Sequence, residues 1–245
     1  MLQFVLVIPT FNEGRYITEI LDSSDKILSK LFDDYKIVVV DASTDNATKH
    51  ITNKFIAKNK RIAIIRRNKR GQRGLDVIYA MSQYKSRLYF YIDADLTPSL
   101  RYLRKAIKEY DKGYQLVLGS RYLDRRLLKR PKLRKMVSLG YNKMIRIMFG
   151  DQIKDHQCGF KLFDENVLSV IKEKGKEKHW AWDTEMILIT YYNKFRIKEI
   201  PIRWVERRSD VTSLKRLIKD ISLFLPSILS MLYRFRILRD YNTVK

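Results

Sequence analysis

The sequence predicts an α/β fold built on a mostly parallel sheet flanked by helices. Three observations lead there: apolar, β-branched runs recur along the chain, helix-length segments separate the early ones, and the runs stay apolar on both alternating positions. The first run, Phe4 to Pro9, has no basic region before it and no small-residue cleavage site after it, so it reads as a buried strand and not a signal peptide. Further runs follow at Lys36 to Asp41, Arg61 to Arg66, Leu88 to Asp93, Gln115 to Gly119 and Arg196 to Pro201. Leu133 to Phe149 has helical spacing, with Arg134, Ser138 and Asn142 on one stripe and Leu133, Met136, Val137, Met144, Ile145 and Met148 on another. From Leu214 onward, Leu217, Ile218, Ile221, Phe224, Leu225, Ile228, Leu229 and Leu232 again keep helical spacing.

These assignments divide the chain into a domain over residues 1–210 and an amphipathic helical segment over 211–245. The 245 residues, 45% of them hydrophobic, suffice for a substantial core. A balance of 50 Lys and Arg against 27 Asp and Glu leaves +23, which points to an anionic partner: phosphorylated substrates, a membrane surface or nucleic acid. Cys158 is alone and forms no internal disulfide, and His50, His156 and His179 lack zinc spacing. A reducing, cytoplasmic setting is expected.

In open α/β sheets ligands sit beyond the carboxyl ends of the strands. Thr10, Asn12 and Glu13 follow the first run, and Asp41 to Asp45 the second. Asp93-Ala94-Asp95 ends the fourth and Gly119-Ser120-Arg121 the fifth, so four strand ends bring carboxylates or an arginine to one edge. On an extended run Asp93 and Asp95 leave the same face while Ala94 points the other way, which makes a carboxylate pair suited to Mg²⁺ or Mn²⁺. There is no GxxxxGK loop, GxGxxG turn, GxSxG elbow or HExxH helix. A metal on two aspartates within a cationic surround suits different chemistry, the stabilisation of a diphosphate as it departs.

Val7-Ile8-Pro9-Thr10-Phe11-Asn12-Glu13, Val40-Asp41-Ala42-Ser43-Thr44-Asp45, Asp93-Ala94-Asp95-Leu96 and Gly119-Ser120-Arg121-Tyr122 occur in the order seen in family 2 glycosyltransferases of GT-A fold. Asp155 to Phe163, Trp180 to Glu185 and Glu199 to Trp204 further resemble the polyprenyl-phosphate branch, the dolichyl-phosphate glucose and mannose synthases. The resemblance implies a nucleotide sugar donor, a divalent metal at Asp93 and Asp95, and inverting transfer of a hexose to a polyprenyl phosphate. Pro9, Thr10, Glu13 and Asp41 match nucleoside-binding positions. Members commonly have two consecutive aspartates where this chain has Val40-Asp41. Arg73 stands at the usual lysine of the glycine-containing donor loop, here Asn68 to Gly74. Arg121, Arg134 and Ser138 match acceptor-phosphate positions, and Arg207 falls near another phosphate-contacting arginine. Trp180-Ala181-Trp182-Asp183 looks more like the glucose synthases and favours a UDP donor.

The chemistry of the acceptor supports the same class. A sugar hydroxyl needs a general base, and Asp183 is the first choice for one; a phosphate monoester is already anionic and needs cations. Arg121, Arg125, Arg126, Lys129, Arg130, Lys132, Arg134 and Lys135 supply them, opposed only by Asp124. For a phosphate acceptor, Asp155 and Glu185 read as holding the loop around Trp180 to Trp182, His156 and His179 as loop residues, and Cys158 as packed. The apolar stretch from Ile221 to Tyr233 is shorter than the roughly 20 residues a bilayer span requires. Peripheral attachment to an anionic membrane, at its cytoplasmic face, is expected, with packing of this helix on protein as the alternative. Two other functions compete: family 2 transfer to a polysaccharide or protein hydroxyl, and nucleic-acid binding. Charge alone motivates the latter, no nucleic-acid motif accompanies it, and no nucleic-acid partner is expected.

Overall fold

A computed structural model of the protein describes residues 1–67, 72–179, 181–205 and 224–240. All six predicted runs are strands: β1 (Leu2–Thr10), β2 (Tyr35–Asp41), β3 (Ile62–Arg66), β4 (Ser86–Ile92), β5 (Leu116–Ser120) and β8 (Ile197–Pro201). Short β6 (Leu128–Lys129) and β9 (Trp204–Val205) pair with each other, and β7 (Phe160–Asp164) completes the main sheet. Its order is β3-β2-β1-β4-β7-β5-β8, with β7 antiparallel to both neighbours and every other pairing parallel. Helices α1 (Gly14–Leu28), α2 (Ala47–Ile56), α3 (Arg73–Ser82), α4 (Leu103–Asp111), α5 (Lys132–Phe149), α6 (Glu165–Lys174) and α7 (Trp182–Tyr192) surround it.

Both faces are covered, which explains why the strands read as unbroken apolar runs. Phe4, Leu6 and Ile8 of β1 enter one core with Ile17, Ile20 and Leu21 of α1, while Val5 and Val7 enter the other with Val77 of α3 and Met186 of α7. The same alternation puts Leu88, Phe90 and Ile92 on the first side and Tyr89 and Tyr91 on the second. The strand order reverses between β1 and β4, so a crevice opens beyond their carboxyl ends.

A third core joins α5 and α7 to the C-terminal helix at 224–232 and the π-helical turn Tyr233–Leu238 that extends it. Ile145 and Phe149 meet Leu188 and Ile189 there, with Ile228, Met231 and Phe235 closing the cluster. One face of this C-terminal element is therefore packed on the domain. Arg234 is buried and binds Glu185, the Lys174 carbonyl at 2.7 Å and Asp240 at 3.4 Å. The predicted boundary at residues 210 and 211 lies outside the described residues. No helix among them is long and apolar enough to cross a membrane.

Candidate active site at the carboxyl edge of the sheet

The loops after β1 and β2 are built together. Asn12, at φ 54°, takes the left-handed conformation that asparagine tolerates, and its side chain exchanges hydrogen bonds with Thr44. Its N–H donates to Ser43 Oγ at 2.8 Å. Pro9 is partly buried at the crevice and Thr10 is buried, its hydroxyl donating to Val40 O and Asp41 Oδ1. The Asp41 carboxylate lies fully buried, accepting also from Ser43 N–H at 3.0 Å and from Arg66 Nη1. Its oxygens anchor Thr10, Ser43 and Arg66 at the crevice where the nucleoside is expected. Arg66, partly exposed at the end of β3, was not anticipated and presents at this edge the charge that Asp41 holds.

Asp93 follows β4, but the chain then turns immediately into a 3₁₀ helix at Ala94–Tyr102, with Leu96 N–H returning to Asp93 O at 2.9 Å. The carboxylate pair is therefore formed by a turn and not by an extended run. The outcome for exposure is the same: Ala94 is fully buried while Asp93 and Asp95 are both partly exposed. Asp93 Oδ1 accepts from Arg73 Nη2 at 2.6 Å and from the Tyr91 hydroxyl at 3.3 Å; no hydrogen bond among the described residues reaches Oδ2. No group of three or more His, Cys, Asp or Glu that could hold a metal occurs among the described residues. Two hard carboxylates leaving positions for water and diphosphate oxygens match what Mg²⁺ or Mn²⁺ accepts. The residues fit the ion.

Arg73 opens α3 and sits 3.6 Å from Asp183 Oδ2 as well as on Asp93. Burial works against its charge, yet the carboxylates of Asp93 and Asp183, with Glu13 further off, hold the guanidinium above its ordinary value. Asp183 is buried in the first turn of α7, and its Oδ1 accepts from Lys161 Nζ at 2.6 Å. Lys161 itself was not anticipated. Its signal was a cation in the middle of the otherwise apolar Phe160-Lys161-Leu162-Phe163, a pattern that demands a buried counter-ion.

Gly159 belongs to the same construction. Its carbonyl accepts the Asp93 N–H at 2.9 Å, and a Cβ there would stand 2.1 Å from Asp93 Oδ2. Gly159→Ala is expected to displace that carboxylate and lower kcat/KM about 100-fold, some 2.7 kcal/mol of transition-state stabilisation. Thermal unfolding of the same variant should move little, because the clash is with the end of one side chain; unchanged activity would count against the placement.

Further along the same edge, Arg121 follows β5 and is buried, with Nε and Nη2 clamped on Asp155 at 2.8 and 2.7 Å. Burial opposes its charge, but Asp155 outweighs that and keeps the guanidinium well above its ordinary value. Arg121 thus reaches the edge with its counter-ion attached. The loop carrying Asp155 is in turn fixed by Glu199 of β8, which accepts the Lys154 and Asp155 N–H groups at 2.9 and 3.0 Å. So Asp155 orients Arg121 and does not hold the loop near Trp180. Glu185 holds the chain ahead of that loop, through the N–H groups of Lys176 and Glu177. Burial raises the Glu185 pKa, with Arg234 and those N–H groups offsetting part of the shift. Trp180, Asn68 to Gly71 of the donor loop, and Arg207 lie outside the described residues.

Arg134 is partly buried in the first turns of α5, and Ser138 one turn on accepts from Arg130 Nη1 at 3.0 Å, which also donates to the Tyr122 hydroxyl at 2.9 Å. Arg134 and Ser138 therefore share the helix stripe foreseen for them. His156 lies in a loop, as expected, and is buried there: its ring spans Asn142 Oδ1 at 2.9 Å and the Asp151 carboxylate at 3.1 Å, tying the loop to α5. Cys158 is packed, and burial pushes its thiol pKa up.

The chain belongs to glycosyl transferase family 2, whose family model matches residues 5–172. It is similar to glycosyltransferase AglD of Haloferax volcanii, 29% identical over 81% of this chain and 32% of that protein. It is also similar to a dolichyl-phosphate beta-glucosyltransferase of Trichomonas vaginalis, 29% identical over 82% of the chain and 63% of the relative. The chain thus spans less than two thirds of the length of both. Among solved structures, glucosyl-3-phosphoglycerate synthase from Mycobacterium tuberculosis in complex with Mn²⁺, UDP and phosphoglyceric acid matches with TM-score 0.70 at 16% identity, covering 94% of this chain and 78% of that one. That likeness establishes the GT-A fold.

Proposed function

We propose that this glycosyltransferase moves a hexose, with inversion, from a UDP-sugar of the glucose type to a polyprenyl phosphate, assisted by Mg²⁺ or Mn²⁺. The observation that carries this reading is the state of the carboxylates beside the site. Asp183 is bound by Lys161, Asp155 by Arg121 and Glu185 by Arg234, so each of the three candidate bases is already matched to a cation. Such a site suits an acceptor that arrives ionised and needs no proton removed. The Trichomonas vaginalis relative named a dolichyl-phosphate beta-glucosyltransferase, and the manganese and UDP-glucose in complexes of the fold relative, agree with it.

In this mechanism Pro9, Thr10 and Glu13, with Arg66 braced by Asp41, line the nucleoside end. Asp93 and Asp95 hold the divalent ion, which when bound stabilises negative charge on the diphosphate as it leaves. Arg73, kept in place by Asp93, adds a fixed guanidinium on the donor side. Arg121, Arg134 and Ser138 bring the acceptor phosphate against the sugar carbon, and Arg207 is assigned to the same role. Preorganised cations offset the repulsion between two anionic reactants without reorganising during the step.

Peripheral attachment to the cytoplasmic face of a membrane is part of the proposal. Five exposed large apolar residues stand on α5 (Leu133, Met136, Leu139, Met144, Ile147) and five on the C-terminal element (Leu225, Leu229, Tyr233, Ile237, Leu238), against three elsewhere among the described residues. Apolar exposure is thus concentrated on elements that also carry Lys132, Lys135, Arg236 and Arg239.

The test pairs labelled UDP-glucose or GDP-mannose with a short-chain polyprenyl phosphate and Mn²⁺. Lipid-linked product, lost on chelation, is the expected result; transfer only to hydroxyl acceptors overturns the reading. Co-sedimentation should show binding to phosphatidylserine vesicles that weakens with salt and with Ile147→Glu/Leu229→Glu. Equal recovery with and without vesicles would remove the membrane from the proposal.

A further inference from the structure

Lys161 lies on β7 with its side chain fully buried. Its ammonium donates to the Cys158 carbonyl at 2.5 Å and to Asp183 Oδ1 at 2.6 Å, 5.6 Å from the centre of the Tyr91 ring. Beyond Asp183 stands Arg73, whose Nη2 is 3.6 Å from Asp183 Oδ2 and 2.6 Å from Asp93 Oδ1. One guanidinium nitrogen thus faces two carboxylates, in hydrogen-bond contact with one and out of it with the other.

The two carboxylates differ in what they would lose without a cation. The Asp183 side chain is 3% exposed and that of Asp93 is 25% exposed, so water can compensate Asp93 but not Asp183. Taken alone, this asymmetry would draw Arg73 toward Asp183, because an uncompensated buried charge is the costlier of the two. The observed geometry is the reverse. We propose that Lys161 causes the reversal: by satisfying Asp183, it leaves Arg73 to Asp93 and to the donor diphosphate beside it. Lys161 touches no reacting group and is a positioning residue. Tyr91 supports the arrangement, its hydroxyl on Asp93 and its ring 5.1 Å from the Arg73 guanidinium. Glu13, the other carboxylate acting on Arg73, lies on the donor side. This inference rests on the glycosyl-transfer reading above.

The experiment uses the full chain and measures UDP and GDP binding by titration calorimetry, with and without Mn²⁺, alongside thermal unfolding. Lys161→Met should weaken binding of the preferred nucleotide about tenfold or more, also without metal, as Arg73 shifts to Asp183. Lys161→Met/Asp183→Asn removes the competitor together with its partner and should restore affinity to within about threefold of the unmodified chain. A merely structural lysine would give a double variant no better than the single one. Unchanged affinity in Lys161→Met, or a double variant that stays weak, overturns the proposal. If the single variant fails to fold, the charge-balanced double still decides, since near-normal affinity is required of it. An unmodified chain that binds neither nucleotide defeats the glycosyl-transfer reading first, and that result is distinct from both others.

Discussion

Asp95→Asn is expected to lower kcat/KM for sugar transfer by about 10³-fold, equivalent to roughly 4 kcal/mol at the transition state. Asp95 occupies the first turn of the 3₁₀ helix after β4, and with Asp93 it makes the pair of carboxylates proposed to hold the divalent ion. Replacing one carboxylate by an amide removes a negative charge and a good ligand without changing shape, so the loss should appear as weaker Mn²⁺ affinity by calorimetry together with slower turnover. Thermal stability should hold or rise slightly, because two neighbouring carboxylates repel in the absence of a cation. Addition of a chelator to the unmodified enzyme should reproduce the loss, and restoring Mn²⁺ should reverse it. Retention of more than a tenth of the activity in Asp95→Asn, under metal-limited conditions, would remove Asp95 from the proposed metal site.

Arg234→Met should destabilise the fold by about 3 kcal/mol, toward the lower end of the cost of breaking a buried ion pair. The reason is what it leaves behind. Glu185 is fully buried, and without Arg234 it keeps only the N–H groups of Lys176 and Glu177. The Lys174 carbonyl loses its guanidinium donor at the same time. For a chain of this size the change corresponds to a fall of about 6 to 12 °C in Tm. Arg234→Met/Glu185→Gln, which removes both charges, should recover more than half of it. A single variant as stable as the unmodified chain would show that the C-terminal element is held by Ile228, Met231 and Phe235 alone.

The parts of the fold that can be read from residue order are those with a local cause. Phe4 to Pro9, Leu88 to Asp93 and the other runs are apolar on both alternating positions because the sheet is covered on both faces, and that pattern needs no distant information. The carboxyl-edge rule then gathers Thr10, Glu13, Asp93 and Arg121 from strand-end position alone. β7 escapes because Lys161 interrupts its apolar pattern, and its antiparallel insertion between β4 and β5 is a matter of pairing.

Partner choice among charged groups is likewise beyond the sequence. Asp155 is 34 residues from Arg121, and Glu185 is 49 from Arg234. Nothing local distinguishes these pairs from the many other acid and base combinations the chain offers. Composition and strand order by themselves determined a polar edge of an α/β sheet bearing carboxylates and an arginine, because alternation and strand-end position are properties of neighbouring residues. Only the tertiary structure decided which carboxylates remain open and which are spent on a buried cation, because desolvation and pairing depend on what packs against each group in space.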